Sequence, residues 1–364
     1  MSKINVVLNT EWNEKYGGAE NVNIQIIQCF REKPEIAAIF SRNPEIRPTI
    51  NSFIAKFTYL PKSILGLISI LHNLKPLPSN VNLLINSSFL FAHFKRIRGD
   101  KGFKIVYVHT PIRYVWLPKI DNRFGKITKY LTGVMYLLRS LDKYKVDKNA
   151  LYIANSEIVR KRIKDFWNIE SIVINPPVDT EYFKDFASFK KPKQLTLISA
   201  GRLVAYKQHN IALMTARALK AHIVIAGSGP QENELRNIAI EFDINATFIT
   251  NPTREELAIL IAGSSVMLHL AIEDFGILPV ESMACGTPVV GFNAGGLIET
   301  VNSKSGVLIN EESEIVAAIS QAVSLDRRII QRESTRFSNQ RFTREFSKAL
   351  NAFTNNATKG ILNE

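Results

Sequence analysis

The segment Glu273-Asp-Phe-Gly-Ile-Leu-Pro-Val-Glu281 holds the groups best suited to grip a polar ligand. Two carboxylates eight residues apart bracket a glycine and a proline, directly after an apolar, strand-like run at 266–270. Pro279 marks a helix start, which offers unpaired N–H groups and the positive end of a helix dipole to a phosphate. Glu273 and Glu281 could each accept hydrogen bonds from sugar hydroxyls, Glu281 about one turn into the helix. Solvation of Glu273 and backbone capping by Glu281 account for the same residues equally well.

Arg202 and Lys207 lie in the segment Ala200-Gly-Arg-Leu-Val-Ala-Tyr-Lys207, which follows another apolar run at 195–200. A forked guanidinium and an ammonium at a strand end could clamp a diphosphate, each charge-assisted bond contributing about 1.5–3 kcal/mol. Gly17 and Gly18 open a helix-like stretch soon after the first strand-like run, where paired glycines allow close backbone approach to a phosphate. Gly227-Ser-Gly229-Pro reads instead as a tight strand-to-helix turn, and neither segment has the three-glycine dinucleotide fingerprint. His109 ends an apolar run and is followed by Arg113, Tyr114 and Trp116, groups that suit a sugar or phosphate.

These segments need a scaffold that brings strand ends together. Short apolar runs at 4–8, 81–86, 104–109, 150–155 and 171–175 alternate with amphipathic windows, and the pattern restarts at 195–200, 222–227, 246–250, 266–270 and 287–292. Strands separated by helical crossovers predict an α/β fold with parallel, doubly wound sheets. Repeating the pattern over 364 residues predicts two domains. The expected division is an N-terminal domain over 1–180, a linker over 181–194 and a C-terminal domain over 195–340. The remaining 341–364 is a helix and tail that could return to the N-terminal domain. Residues 330–364 read as surface helices with a frayed end. Two such domains facing each other place a ligand between the carboxyl ends of their sheets.

Composition narrows the function. Residues 1–180 contain 27 Lys and Arg against 14 Asp and Glu, which is the whole +13 of the chain; residues 181–364 contain 19 of each. Cys29 and Cys285 supply no disulfide framework or four-ligand zinc site, which fits a reducing compartment. No apolar run is long enough to span a bilayer, and the first residues lack a charged-then-apolar signal peptide. The run from Phe53 to Leu71 is either a pair of helices covering the N-terminal sheet or a segment dipping into a membrane. Basic clusters at 95–104, 119–129, 139–148 and 160–164 support contact with anionic lipid. Nucleic-acid binding would explain the charge, yet no zinc module, RNP motif or reader helix accompanies it.

Taken in order, GGAE at 17–20, HTPIRYVW at 109–116, LYIANSEIVRKRI at 151–163, NPPVDTEYF at 175–183, GRLVAYK at 201–207, GSGP at 227–230 and EDFGILPVESMACGTPVVGFNAGGLIETV at 273–301 resemble the retaining family 4 glycosyltransferases of GT-B fold. Within them the chain is similar to bacterial mannosyltransferases that build O-antigen and related polysaccharides. The resemblance implies that Gly17 and Gly18 approach the donor diphosphate and that His109 contacts the transferred sugar. It implies that Arg202 and Lys207 hold the diphosphate and stabilise the leaving nucleotide. Glu273 and the amides of Phe275, Gly276 and Ile277 would bind the donor sugar, Glu281 the ribose, and Thr250 and Asn251 the base. Arg113, Tyr114 and Trp116 would face the acceptor. Relatives often carry a glycine near Asn251.

A GDP-mannose donor is the first expectation and a UDP-sugar the alternative, with a lipid-linked or oligosaccharide acceptor, an anionic membrane surface as a partner and no nucleic acid. The sequence has no Asp-x-Asp triplet or His-Glu-x-x-His, so neither cofactor nor metal is expected. The expected location is cytoplasmic, peripheral on the inner face of the cell membrane.

Overall fold

The computed structural model describes residues 4–15, 17–50, 62–118, 132–187 and 192–363. The chain forms two compact units, Met1–Pro177 with Phe342–Glu364, and Val178–Arg341.

The first unit is built on a six-stranded sheet of β1 (Val6–Thr10), β2 (Glu35–Ala37), β3 (Leu83–Ser88), β4 (Phe103–Val108), β5 (Leu151–Ala154) and β6 (Ile172–Val173), in the order β2-β1-β3-β4-β5-β6. Every pairing is parallel. β1 and β3 are buried along their whole length: each opens on three consecutive apolar residues rather than an alternating pattern and ends in buried polar ones, Asn9-Thr10 and Asn86-Ser87-Ser88. Ser156 starts the helix Glu157–Trp167 by accepting from the Val159 amide at 3.3 Å, and Asn168 ends it in the left-handed region at φ 56°.

The second unit repeats the plan with β7 (Thr196–Ala200), β8 (His222–Ala226), β9 (Ala246–Ile249), β10 (Val266–His269), β11 (Val289–Phe292) and β12 (Gly306–Ile309), ordered β12-β11-β10-β7-β8-β9. All of these pairs are parallel too. The helix Arg254–Ala262 opens with a full capping box between Thr253 and Glu256.

Strand order reverses between β1 and β3 in one sheet and between β7 and β10 in the other. At such switch points neighbouring crossovers leave in opposite directions, opening a crevice at the strand carboxyl ends. In the first unit Glu11 sits at the switch point, just after β1. Its side chain is fully buried, and its Oε1 accepts from the amides of Leu90 at 2.9 Å and Ala92 at 2.7 Å. Burial pushes this carboxyl up to about 7, against amide hydrogen bonds that pull it down. The unfolded chain ionises Glu11 at its ordinary 4.5. Between 4.5 and about 7 the folded state therefore keeps a proton that the unfolded state has lost, and stability falls as pH rises through that window. Glu11→Gln removes this contribution. Across the window the variant should gain about 1–3 kcal/mol relative to the parent, read by urea unfolding at pH 4.5 and 7.5. A constant difference at the two pH values would contradict it.

Four sequence expectations change. The crossing between units falls at 177/178, because the helix Thr180–Lys184, assigned to a linker, packs Phe183 into the core of the second unit. Residues 330–364 are not surface helices: Phe342, Phe346 and Leu350, four residues apart, are fully buried in the core of the first unit. Their end is tied as well, since the Arg31 amide donates to the Ile361 carbonyl and the Asn363 amide to that of Cys29. β2 and β12 add a strand to an edge of each sheet. Of the apolar run 53–71, residues 53–61 lie outside the described residues, as does the basic cluster 119–129. Lys62–Leu74 is one helix, with Leu65 buried and Leu71 exposed.

Candidate functional site

The loops after β7 and β10 flank the second switch point and carry most of the predicted donor residues. Lys207, in a short turn at 205–207, places its Nζ 2.7 Å from Glu273 Oε1. The other carboxylate oxygen, Oε2, lies 3.0 Å from Nε2 of His269, the last residue of β10. Burial pushes the Glu273 carboxyl up, but the His269 hydrogen bond and the charges of His269 and Lys207 outweigh it and hold the group well below the usual carboxylate range. Arg202 is exposed, and its guanidinium makes no ion pair among the described residues.

The loop after Glu273 is held from behind by paired glycines. A Cβ on Gly295 would come 2.4 Å from the Glu273 carbonyl oxygen, and one on Gly296 2.2 Å from the Phe275 Cα. The Gly296 amide donates to the Glu273 carbonyl at 2.8 Å. Gly276 turns the chain with φ 96° into the helix Ile277–Ala284, while Phe275 is buried against Phe337. The amides of Phe275, Gly276 and Ile277 donate no hydrogen bond among the described residues. Glu281, half-buried on this helix, has neither an ion pair nor a hydrogen bond there. Burial pushes its carboxyl up to about 7, with Arg254 pulling down and Asp179 pushing up. The site thus combines a guanidinium, an ammonium paired to a carboxylate, three donor amides at a helix start and a second, unpaired carboxyl. That arrangement can hold a diphosphate and the hydroxyls attached on either side of it.

At the end of β9, Thr250 donates to Glu232 Oε1 at 2.7 Å, and Ser228 donates to Asn251 Oδ1. Asn251 adopts φ 50°, a left-handed conformation that Asn tolerates.

In the first unit, His109 follows β4 and its Nε2 is 2.9 Å from Ser87 Oγ. Burial pulls this imidazole down to about 4, so it is neutral at pH 7. Gly17 and Gly18 follow β1. A Cβ on Gly17 would stand 2.3 Å from Glu20 Oε2, so this glycine makes room for the chain's own carboxylate. Glu20 in turn accepts from the Glu14 amide at 2.8 Å.

Arg113, Tyr114 and Trp116 form one short helix, Arg113–Trp116, with the first two half-buried. Trp116 is committed to packing. Its ring stacks on Phe166 at 4.6 Å, and its N–H donates to Asp142 Oδ2 at 2.7 Å. The same oxygen accepts from Trp167 at 2.7 Å, and Asp142 Oδ1 lies 3.0 Å from His93 Nε2. Asp142 and His93 are fully buried. Asp142→Ala strands two indole N–H groups and the histidine, a cost of about 3 kcal/mol or more. It should lower the melting temperature of the first unit, while Asp147→Ala, at a half-buried carboxylate, should cost less.

Sequence reasoning missed Glu11, Asp142, His209 and His269. Lone acidic and histidine residues carry no spacing signal; only the fold reveals which groups they meet.

Comparison with known proteins shows what the chain is similar to. Residues 181–340 match the family of glycosyl transferases group 1. The chain is 33% identical over 133 residues to a GDP-mannose-dependent alpha-(1-6)-phosphatidylinositol dimannoside mannosyltransferase of Mycobacterium tuberculosis, covering 35% of this chain and 34% of that protein. It is 30% identical over 185 residues to the D-inositol 3-phosphate glycosyltransferase of Mycolicibacterium smegmatis, covering 45% and 43%. The chain therefore spans less than half the length of these curated relatives. The crystal structure of Anabaena Alr3699/HepE in complex with UDP superposes with a TM-score of 0.68 at 16% identity, over 96% of this chain and 100% of that one, a likeness of fold. Over residues 181–340 the chain is thus similar to glycosyl transferases group 1, and its two parallel six-stranded sheets share the fold of the Anabaena protein.

Proposed function

We propose that the chain is a retaining, metal-independent hexosyltransferase that moves mannose from GDP-mannose to a lipid-linked glycan in cell-surface polysaccharide synthesis. The observation that carries this reading is the Lys207–Glu273 pair at the second switch point, in loops that also carry Arg202 and the amides of 275–277, with Glu281, on the adjoining helix, making no ion pair among the described residues. In the transfer, an acceptor hydroxyl oxygen attacks the anomeric carbon as the bond from that carbon to the diphosphate oxygen breaks. Attack from the same face lets the departing phosphate take the hydroxyl proton, so the protein needs no nucleophile. Lys207, Arg202 and the helix-start amides meet the charge that develops on the diphosphate. His109, neutral in its buried position, would serve as a hydrogen-bonding contact to the sugar rather than as a cation.

The relatives from Mycobacterium tuberculosis, named as GDP-mannose-dependent, favour the guanine nucleotide; the UDP held by the Anabaena neighbour keeps a UDP-sugar donor as the second reading. Thermal shifts of the full chain with GDP, UDP and their sugar conjugates decide between them. A larger shift with UDP overturns the mannosyl reading, and no shift with any of them overturns the nucleotide site.

The proposed acceptor side is the basic first unit, acting at the cytoplasmic face of a membrane. Support comes from the helix Thr132–Tyr144, which exposes Val134, Tyr136, Leu137 and Tyr144 beside Lys143. Among the described residues no helix is long and apolar enough to cross a membrane. Anionic vesicles should therefore pellet the protein, neutral vesicles should not, and Leu137→Glu should weaken pelleting about tenfold at unchanged nucleotide binding.

A further inference from the structure

His269 closes β10 with only 3% of its surface exposed and meets the carboxylate oxygen that Lys207 does not. The titratable and charged groups around it come from three elements. Glu273 belongs to its own following loop, Lys207 to the turn after β7, and His209 to the start of the helix His209–Leu219. His209 is engaged elsewhere, since its Nδ1 pairs with Ser199 Oγ at 2.8 Å and its Nε2 lies 3.3 Å from the Arg202 carbonyl. It thereby anchors the Arg202 loop, and burial keeps it neutral at pH 7 by pulling it down to about 4.

We propose that His269 is a positioning residue of the donor site, and that its protonation releases Lys207 from Glu273 so that the ammonium can take a nucleoside diphosphate. The proposal rests on the reading of this switch point as a diphosphate site. Its physical basis is competition for one carboxylate. With His269 neutral, Lys207 is the cation that balances Glu273, and a diphosphate must draw it away. With His269 charged, Glu273 keeps a counter-charge at 3.0 Å when Lys207 turns to the ligand. The negative charge of the bound diphosphate favours the imidazolium in turn. Linkage then requires that binding take up a proton at His269 and that affinity fall as His269 deprotonates.

The test is calorimetric titration of the full chain with GDP and with UDP between pH 5.5 and 8.5, in buffers of different ionisation enthalpy, for the parent and for His269→Gln. The terminal phosphate of either nucleotide titrates as well, equally in both proteins, so the readout is their difference. The parent should lose about five- to tenfold more affinity across this range than the variant, and its extra proton uptake should be absent from the variant. Gln can still donate to Glu273, so the variant preserves the contact without the charge. The second readout uses the unmodified chain: the His269 imidazole resonances, followed against pH, should titrate at higher pH when the diphosphate is bound. Equal pH profiles, or a His269 titration that ignores the ligand, overturn the proposal. A parent chain that binds neither nucleotide overturns the underlying site reading instead.

Discussion

Lys207→Ala should lower sugar transfer by about 10²–10³-fold with the fold retained, the scale seen when one preorganised charge at a developing anion is removed. The ammonium has two roles that alanine removes together. It is the cation nearest Glu273, at 2.7 Å, and in the proposed reaction it meets the departing diphosphate. Because the ammonium side chain is only 10% exposed, water replaces it poorly, and Arg202 faces solvent rather than this carboxylate. Loss of turnover should therefore exceed loss of substrate affinity, which a comparison of kcat with KM reads directly.

The same substitution has a signature in stability. Glu273 is held below its ordinary range, so its pairing stabilises the fold above the ordinary carboxylate value and is lost as pH falls below it. Lys207→Ala should cost about 1–2 kcal/mol at pH 7, because the pair is partly screened by solvent. The difference between parent and variant should shrink as pH falls through the acid range. Melting curves at pH 7 and at pH 3, inside the window below the ordinary value of 4.5, check this. Full activity in a folded Lys207→Ala protein would remove the diphosphate clamp from the proposed function.

Much of this site is legible in the sequence because strand ends are. Runs such as LTLISA at 195–200 and VMLHL at 266–270 announce buried parallel strands, and polar or glycine residues just past them fall where ligands bind. Arg202, Lys207 and Glu273 are therefore located by position as well as by type, and the helix start, expected at Pro279, lies two residues earlier at Ile277. What sequence cannot show is which group answers which. Glu273 offers its two oxygens to Lys207 and His269, and only the adjacency of β7 and β10, roughly 70 residues apart in the chain, brings the three together. Trp116 is the converse case. An aromatic residue near a strand end suggests sugar stacking, but its N–H and ring face are taken by Asp142 and Phe166. The edge strands β2 and β12 are missed, and the Phe342–Leu350 stripe reads as amphipathic on any helix, whichever surface covers it.

Gly227→Ala should have the largest effect on stability, about 3 kcal/mol or more, which corresponds to a fall of roughly 6–12 °C in the melting temperature of the second unit. The loops after β7 and β8 run against each other without side chains between them. The Gly201 amide donates to the Ala226 carbonyl at 2.9 Å and the Leu203 amide to that of Ser228 at 2.8 Å. Gly227 sits in this seam at φ 145°, and a Cβ there would lie 1.8 Å from the Gly201 carbonyl oxygen. Gly229 is similarly placed, with a Cβ 2.3 Å from the Leu203 oxygen. The colliding atoms are backbone, so no rotamer change relieves the contact and the two loops must separate. The loop that moves carries Arg202 and Lys207, so protein that still folds should also bind nucleotide weakly. Gly133→Ala supplies the contrast: in the helix Thr132–Tyr144 its Cβ would meet nothing within 4 Å, and alanine should be neutral or stabilise by up to about 1 kcal/mol. If Gly227→Ala melts with Gly133→Ala, the seam between these loops is not what holds the cations of the second switch point in place.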